Sequence, residues 1–114
     1  MEEDTKALLV ATSELVKKYF ELSVIEDNFI TEEALENALA ERIFELIEHD
    51  LEHLFSILYR LDVNERKVHA ALQPNNRIPG NLAVARLIIA RQKEKAATRL
   101  KYKQDAQEEE GDEW

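Results

Sequence analysis

The stretch TEEALENALAERIFELIEHDLEHLFSILYRL, from Thr31 to Leu61, decides the fold. Counted at 100° per residue, Leu35, Leu39, Ile43, Leu46, Ile47, Leu51, Leu54, Phe55, Ile57, Leu58 and Leu61 fall on one arc of about 200°, the pattern of a helix covered by neighbours on more than one side. Thr31 is a good N-cap, and Ile30 with Leu35 forms a hydrophobic staple across it. An unbroken helix from Glu32 to Leu61 measures about 45 Å at the standard rise. A compact globule of 114 residues is only about 34 Å across. Either the helix breaks or the protein is not a compact monomer. Asp50 sits inside the apolar arc, where an unpaired carboxylate is costly. It either caps a second segment at a break or meets an arginine such as Arg86 or Arg60.

Outward from this stretch the rest of the chain also reads as helix. Gly and Pro are scarce, at two each, and the chain is rich in Ala, Leu, Glu, Lys and Arg, so the expected class is all-α. A first helix from Asp4 to about Leu22 buries Leu8, Ala11, Thr12, Leu15, Val16 and Tyr19, and Ser23 to Ile30 is a loop. Asp62 with Glu65 opens a short third helix, Val63 to about Leu72, burying Val68, Ala71 and Leu72. Gln73 to Gly80 holds both prolines and is the clearest loop. Asn81 caps a fourth helix whose first half, Leu82 to Ala90, is apolar on nearly every side apart from Arg86. Its second half is basic and runs out into solvent. The expected architecture is a four-helix domain over residues 1–104, with one long central helix and a projecting basic fourth helix, followed by an acidic disordered tail over 105–114.

Charge divides the chain into three blocks: −12 over residues 1–65, +9 over 66–103 and −6 over 104–114. Such asymmetry speaks to association rather than fold. The acidic tail is expected to screen the basic stretch before it. With no Cys there is no disulfide framework or thiolate site. The acidic start, Glu2, Glu3 and Asp4, is unlike a signal peptide, and no apolar run approaches a membrane span. The expected setting is the cytoplasm, with no membrane partner.

Three constellations carry candidate chemistry. His49-Asp50-Leu51-Glu52-His53 spells H-x-x-E-H, in which two histidines a helical turn apart hold zinc and the glutamate acts as general base. That pattern needs a further carboxylate on a packed element, and the distant acids here lie in the tail, so the expectation is no metal and no cofactor. The basic residues Arg86, Arg91, Lys93, Lys95, Arg99, Lys101 and Lys103 are the candidate interaction set and the best nucleic-acid footprint. They spread around the helix instead of forming one stripe, and Tyr102 is the sole aromatic among them, which leaves no stacking platform. The wide apolar arc, finally, asks for more cover than two other helices give, and Leu51, Leu54, Phe55 and Leu58 are the candidate dimer interface. The expected role is a non-enzymatic, homodimeric interaction module, with nucleic-acid association as the alternative and a metal-dependent hydrolase through His49, Glu52 and His53 a distant third.

Leu58-Tyr-Arg-Leu-Asp-Val-Asn-Glu-Arg66 together with Leu87-Ile-Ile-Ala-Arg-Gln92 resembles small all-helical bacterial proteins of no known activity. That resemblance implies a helical fold and brings no site residue with it.

Overall fold

The computed structural model describes the backbone of residues 2–22 and 31–112, with side chains over 6–22, 31–99, 101 and 102. Five helices make up the described chain: α1 (Glu2–Phe20), α2 (Glu32–His49), α3 (Leu51–Arg60), α4 (Glu65–Ala71) and α5 (Gly80–Asp112), with no strand among the described residues. The all-α class is as expected. The expected count of four helices is not, because the 31–61 stretch divides. Residues 23–30, with Ile30 of the staple, lie outside the described residues.

Asp50 makes the division. Its φ of −156° and ψ of 69° are not helical, so α2 ends there, with the Asp50 N–H donating to the Leu46 carbonyl at 2.8 Å. The Asp50 carboxylate then accepts from the His53 N–H at 3.2 Å and starts α3. Asp50 is exposed at the break, so its carboxylate carries no burial cost, and it satisfies a free N–H in the first turn of α3, the usual function of an N-cap aspartate. Thr31 caps α2 in the same way, accepting from the Ala34 N–H at 3.0 Å.

Two helices end in the same manner. Past α3, Asp62 adopts a φ of 58°, and the Asp62 and Val63 N–H groups turn back to the carbonyls of Tyr59 and Leu58, each at 3.1 Å. Past α1, Glu21 has a φ of 56°, and the Leu22 N–H reaches the Lys17 carbonyl at 3.1 Å. These are Schellman closures with an acid where glycine is usual. Each acid is held by an arginine from another helix. Arg42 of α2 donates through Nε to the Phe20 carbonyl at 3.2 Å, lies 4.0 Å from the Glu21 carboxylate and binds Glu45 at 3.0 Å. Arg91 of α5 donates through Nε to the Asp62 carbonyl at 3.1 Å, binds the Asp62 carboxylate at 2.8 Å and binds Glu94 at 3.0 Å. The Arg91 guanidinium thereby holds the Asp62 carboxyl below its ordinary value, through the hydrogen bond first and its charge second, and its own proton is held more firmly in return. The expected N-cap for the short helix was Asp62; α4 is capped instead by Asn64, which accepts from the N–H groups of Arg66 at 2.9 Å and Lys67 at 3.2 Å.

α5 packs on α1, α2 and α4, and α2 of the 31–61 stretch packs in turn on α1, α3 and α5. Val84, Ala85, Ile88 and Ile89 are fully buried against Val16 and Phe20 of α1, Leu35, Leu39, Ile43 and Leu46 of α2, Leu54, Ile57 and Leu58 of α3, and Val68 of α4 in one core. This is the enclosed first half read from Leu82 to Ala90. Asn81, expected as its cap, lies inside the helix and donates to the Ala40 carbonyl at 3.0 Å. From Ala97 to Tyr102 every residue whose side chain is described is exposed. The backbone stays helical to Asp112, across the boundary at 104 where the sequence marks off an acidic tail. A helix of 33 residues is about 50 Å long. The molecule accordingly measures 57 × 32 × 25 Å, with a radius of gyration of 16.2 Å against about 13 Å for a compact chain of this length. No helix among the described residues is long and apolar enough to cross a membrane.

Candidate interaction surface

The break at Asp50 and the closure at Asp62 set α3 and α4 as the two walls of a groove. Of the candidate interface residues, Leu54 is fully buried in the core and Leu58 is buried at the base of the groove, whereas Phe55 is half-buried and Leu51 is 44% exposed. Spacing of four places Leu51, Phe55 and Tyr59 on one stripe of α3. Tyr59, absent from the sequence-based interface, is 87% exposed. Beside it lies a cavity of about 330 Å³ lined by Phe55, Leu58, Tyr59, Val63, Glu65, Val68 and His69. Val63 reaches that position because the left-handed Asp62 reverses the chain and brings the residue after it back over Leu58.

His69 closes the α4 wall. Its ring stacks on Phe55, with centroids 5.9 Å apart and planes at 29°, and its Nε2 is 3.6 Å from a Glu65 carboxylate oxygen one turn away. The ring thus lends its face to an apolar cavity and its edge to the rim. No signal in the sequence pairs Phe55 with His69, because only the turn at 61–64 brings α3 and α4 together. Tyr59 was in reach, since it follows Phe55 by four residues on the face the core leaves free.

The histidines of the zinc-like motif are separated by the cap. His49 ends α2, His53 lies in the first turn of α3, and both are exposed. Glu52, the glutamate of the motif, is also exposed in the first turn of α3, and Asp50 between the histidines accepts from a backbone N–H. Among the described residues no group of three or more His, Asp or Glu side chains is placed to hold a metal ion.

The basic set is largely absorbed by the fold. Arg86 faces Glu36 at 3.6 Å, and Lys93 binds Glu32 at 2.6 Å. Arg91 clamps Asp62, and Lys95 donates to the Leu61 carbonyl at 3.3 Å beside Gln92, which donates to the same oxygen at 3.0 Å from a buried position. These cations neutralise the acidic α2 and close the end of α3. Arg99 and Lys101 are exposed and have no ion-pair partner among the described residues, and the Lys103 side chain lies outside them.

Comparison with protein-family models, with curated proteins and with solved structures finds no match. The segments 58–66 and 87–92 therefore carry no residue role over from a relative, and function rests on the geometry alone.

Proposed function

We propose that the chain is a non-enzymatic interaction module that pairs with a second copy of itself through the α3–α4 surface. The observation that carries this reading is the position of Tyr59, a projecting aromatic beside an open apolar cavity on the same patch. A knob next to a matching hole is what a two-fold contact requires, since each copy then fills the other. Leu51 and Phe55 extend the patch along α3, and Tyr59 keeps its hydroxyl at the rim, as tyrosines at interfaces do. The pairing retains Leu51, Phe55 and, in the cavity lining, Leu58 from the sequence-based interface, and it adds Tyr59 and the α4 wall in place of the fully buried Leu54.

The nucleic-acid alternative loses ground because Arg86, Arg91, Lys93 and Lys95 are engaged inside the fold. Phosphate binding by those side chains has to break contacts that hold α2, α3 and α5 together.

Sedimentation at micromolar concentration and high ionic strength, where contacts between exposed charges are screened, tests the proposal. The wild type is expected to show a dimer mass, and Tyr59→Glu a monomer mass with an unchanged helical spectrum. A wild-type monomer mass overturns the reading, as does a Tyr59→Glu variant that still dimerises.

A further inference from the structure

A second surface, independent of the α3–α4 groove, lies where α4, the loop before α5 and the start of α5 meet. It is an open shelf of about 480 Å³ with an apolar floor that includes Ala70, Ala71, Ala83 and Leu87, and with Ile78 at 39% exposure on its edge. The charged residues on its border are all cations: Lys67, Arg77 and Arg86. Arg86 shares its charge with Glu36, while Lys67 and Arg77 are exposed and have no ion-pair partner among the described residues. Asn76 holds the loop in place by donating to the Ala70 and Ala71 carbonyls, the latter at 3.1 Å. An apolar floor with an all-cationic border in a protein of net charge −9 fits an acidic peptide with one large apolar anchor.

The chain itself carries such a segment. Residues 105–114, Asp-Ala-Gln-Glu-Glu-Glu-Gly-Asp-Glu-Trp, hold six acids, no base and the single tryptophan of the protein. It cannot serve its own shelf, because α5 is helical from Gly80 to Asp112 and the 25 residues from Leu87 onward carry it about 40 Å away. We propose that the shelf of one copy binds the 105–114 segment of a second copy, with Trp114 on the apolar floor and the glutamates against Lys67 and Arg77. Of the α5 cations expected from the sequence to attract this segment, Arg86, Arg91 and Lys93 are paired with carboxylates and Lys95 is bonded to a carbonyl. Lys67 and Arg77, like Arg99 and Lys101, have no carboxylate partner among the described residues, and Lys67 and Arg77 stand on the border of the apolar shelf.

Trp114 makes the test possible on the unlabelled full chain, since all tryptophan emission comes from it. As protein concentration rises at low salt, the emission should move to shorter wavelength, and added salt should reverse the shift as the charges are screened. In Lys67→Glu/Arg77→Glu the emission should stay at the long-wavelength limit throughout. Both side chains are exposed, and circular dichroism checks that the variant keeps its helices. An excess of synthetic peptide spanning 105–114 with Phe in place of Trp114 should return wild-type emission to long wavelength, which tests the shelf without any substitution in the protein. The proposal is overturned by wild-type emission that does not depend on concentration, by a shift that the double variant keeps, or by a peptide that fails to displace the segment. Sedimentation of the double variant separates this contact from the α3–α4 pairing, whose residues it leaves untouched.

Discussion

Leu51 and Leu54 lie three positions apart on α3, and truncating each to alanine separates what the core holds from what the surface offers. Leu54 is fully buried, so Leu54→Ala loses the transfer free energy of three carbon groups, about 2.4 kcal/mol at 0.8 each. It also leaves a cavity in packing that relaxes only in part, which brings the expected cost to about 3 kcal/mol. Leu51 is 44% exposed, so Leu51→Ala forfeits roughly half the transfer term and opens no cavity, about 1 kcal/mol. At about 2.1 cal/mol/K per residue, the 114 residues unfold with an entropy near 0.24 kcal/mol/K, so the two variants should melt about 12 °C and about 4 °C below wild type. Thermal melts followed by circular dichroism at 222 nm, about the usual helix band, provide the assay at low protein concentration, with the dimer dissociated. Equal losses for the two variants at that concentration would refute the placement of α3. A Leu51→Ala deficit that grows with concentration instead is the mark of a side chain buried by a second copy, because stability gained from association follows mass action.

Three further outcomes follow from the geometry. Asp50→Ala removes the cap that starts α3 and should cost about 1 kcal/mol in a urea titration; a gain in stability would mean that α2 and α3 prefer to fuse. The Asp62 carboxyl is held below its unfolded value by Arg91, so its contribution is complete above the ordinary carboxylate range and fades as pH falls through the lowered folded value. Asp62→Asn, which tolerates the left-handed backbone, should therefore flatten the acid side of the stability profile, and an unchanged profile would show that the clamp is not felt in solution. Added zinc should leave the melting temperature of the wild type and of His53→Ala alike, while a rise confined to the wild type would restore the H-x-x-E-H motif as a metal site.

Residues 31–61 announced most of their buried face because helical periodicity reports which side is covered: Leu35, Leu39, Ile43, Leu46, Leu54, Ile57, Leu58 and Leu61 are in the core, Ile47 and Phe55 are half-buried, and Leu51 is exposed. Periodicity does not report a break when the residue at the break keeps both segments nearly in phase. Asp50 was visible as an anomaly, and capping was one of the two remedies it admitted. The ends of α1 and α3 were harder to read, because Glu21 and Asp62 occupy left-handed positions that glycine would have marked. Each is met by a guanidinium from a residue 21 or 29 positions further on, Arg42 and Arg91, a distance in sequence that hides the contact. The basic stretch looked available for the same reason. Charge in a sequence is counted locally, whereas Lys93 meets Glu32 across 61 residues of chain. The groove carries no linear signature at all, since it exists only where the turn at Asp62 faces Val68 and His69 toward Phe55.

The position of α5 in the order of synthesis has a consequence for how the chain acquires its structure. Helices α1, α2 and α4 all pack on a helix that follows them, and the bonds joining Asn81 to Ala40 and Lys93 to Glu32 span 41 and 61 residues. Until Ile88 and Ile89 have left the ribosome, Val16, Leu39, Ile43 and Leu54 lack the helix that completes their shared core, and α1, α2 and α3 have only one another to pack on. The first 80 residues are therefore expected to emerge with an incomplete core, which the first half of α5 closes. Ribosome-bound chains stalled before α5 should be bound by chaperones and cut readily by protease, and a chain stalled after Gln92 has cleared the exit tunnel should resist both.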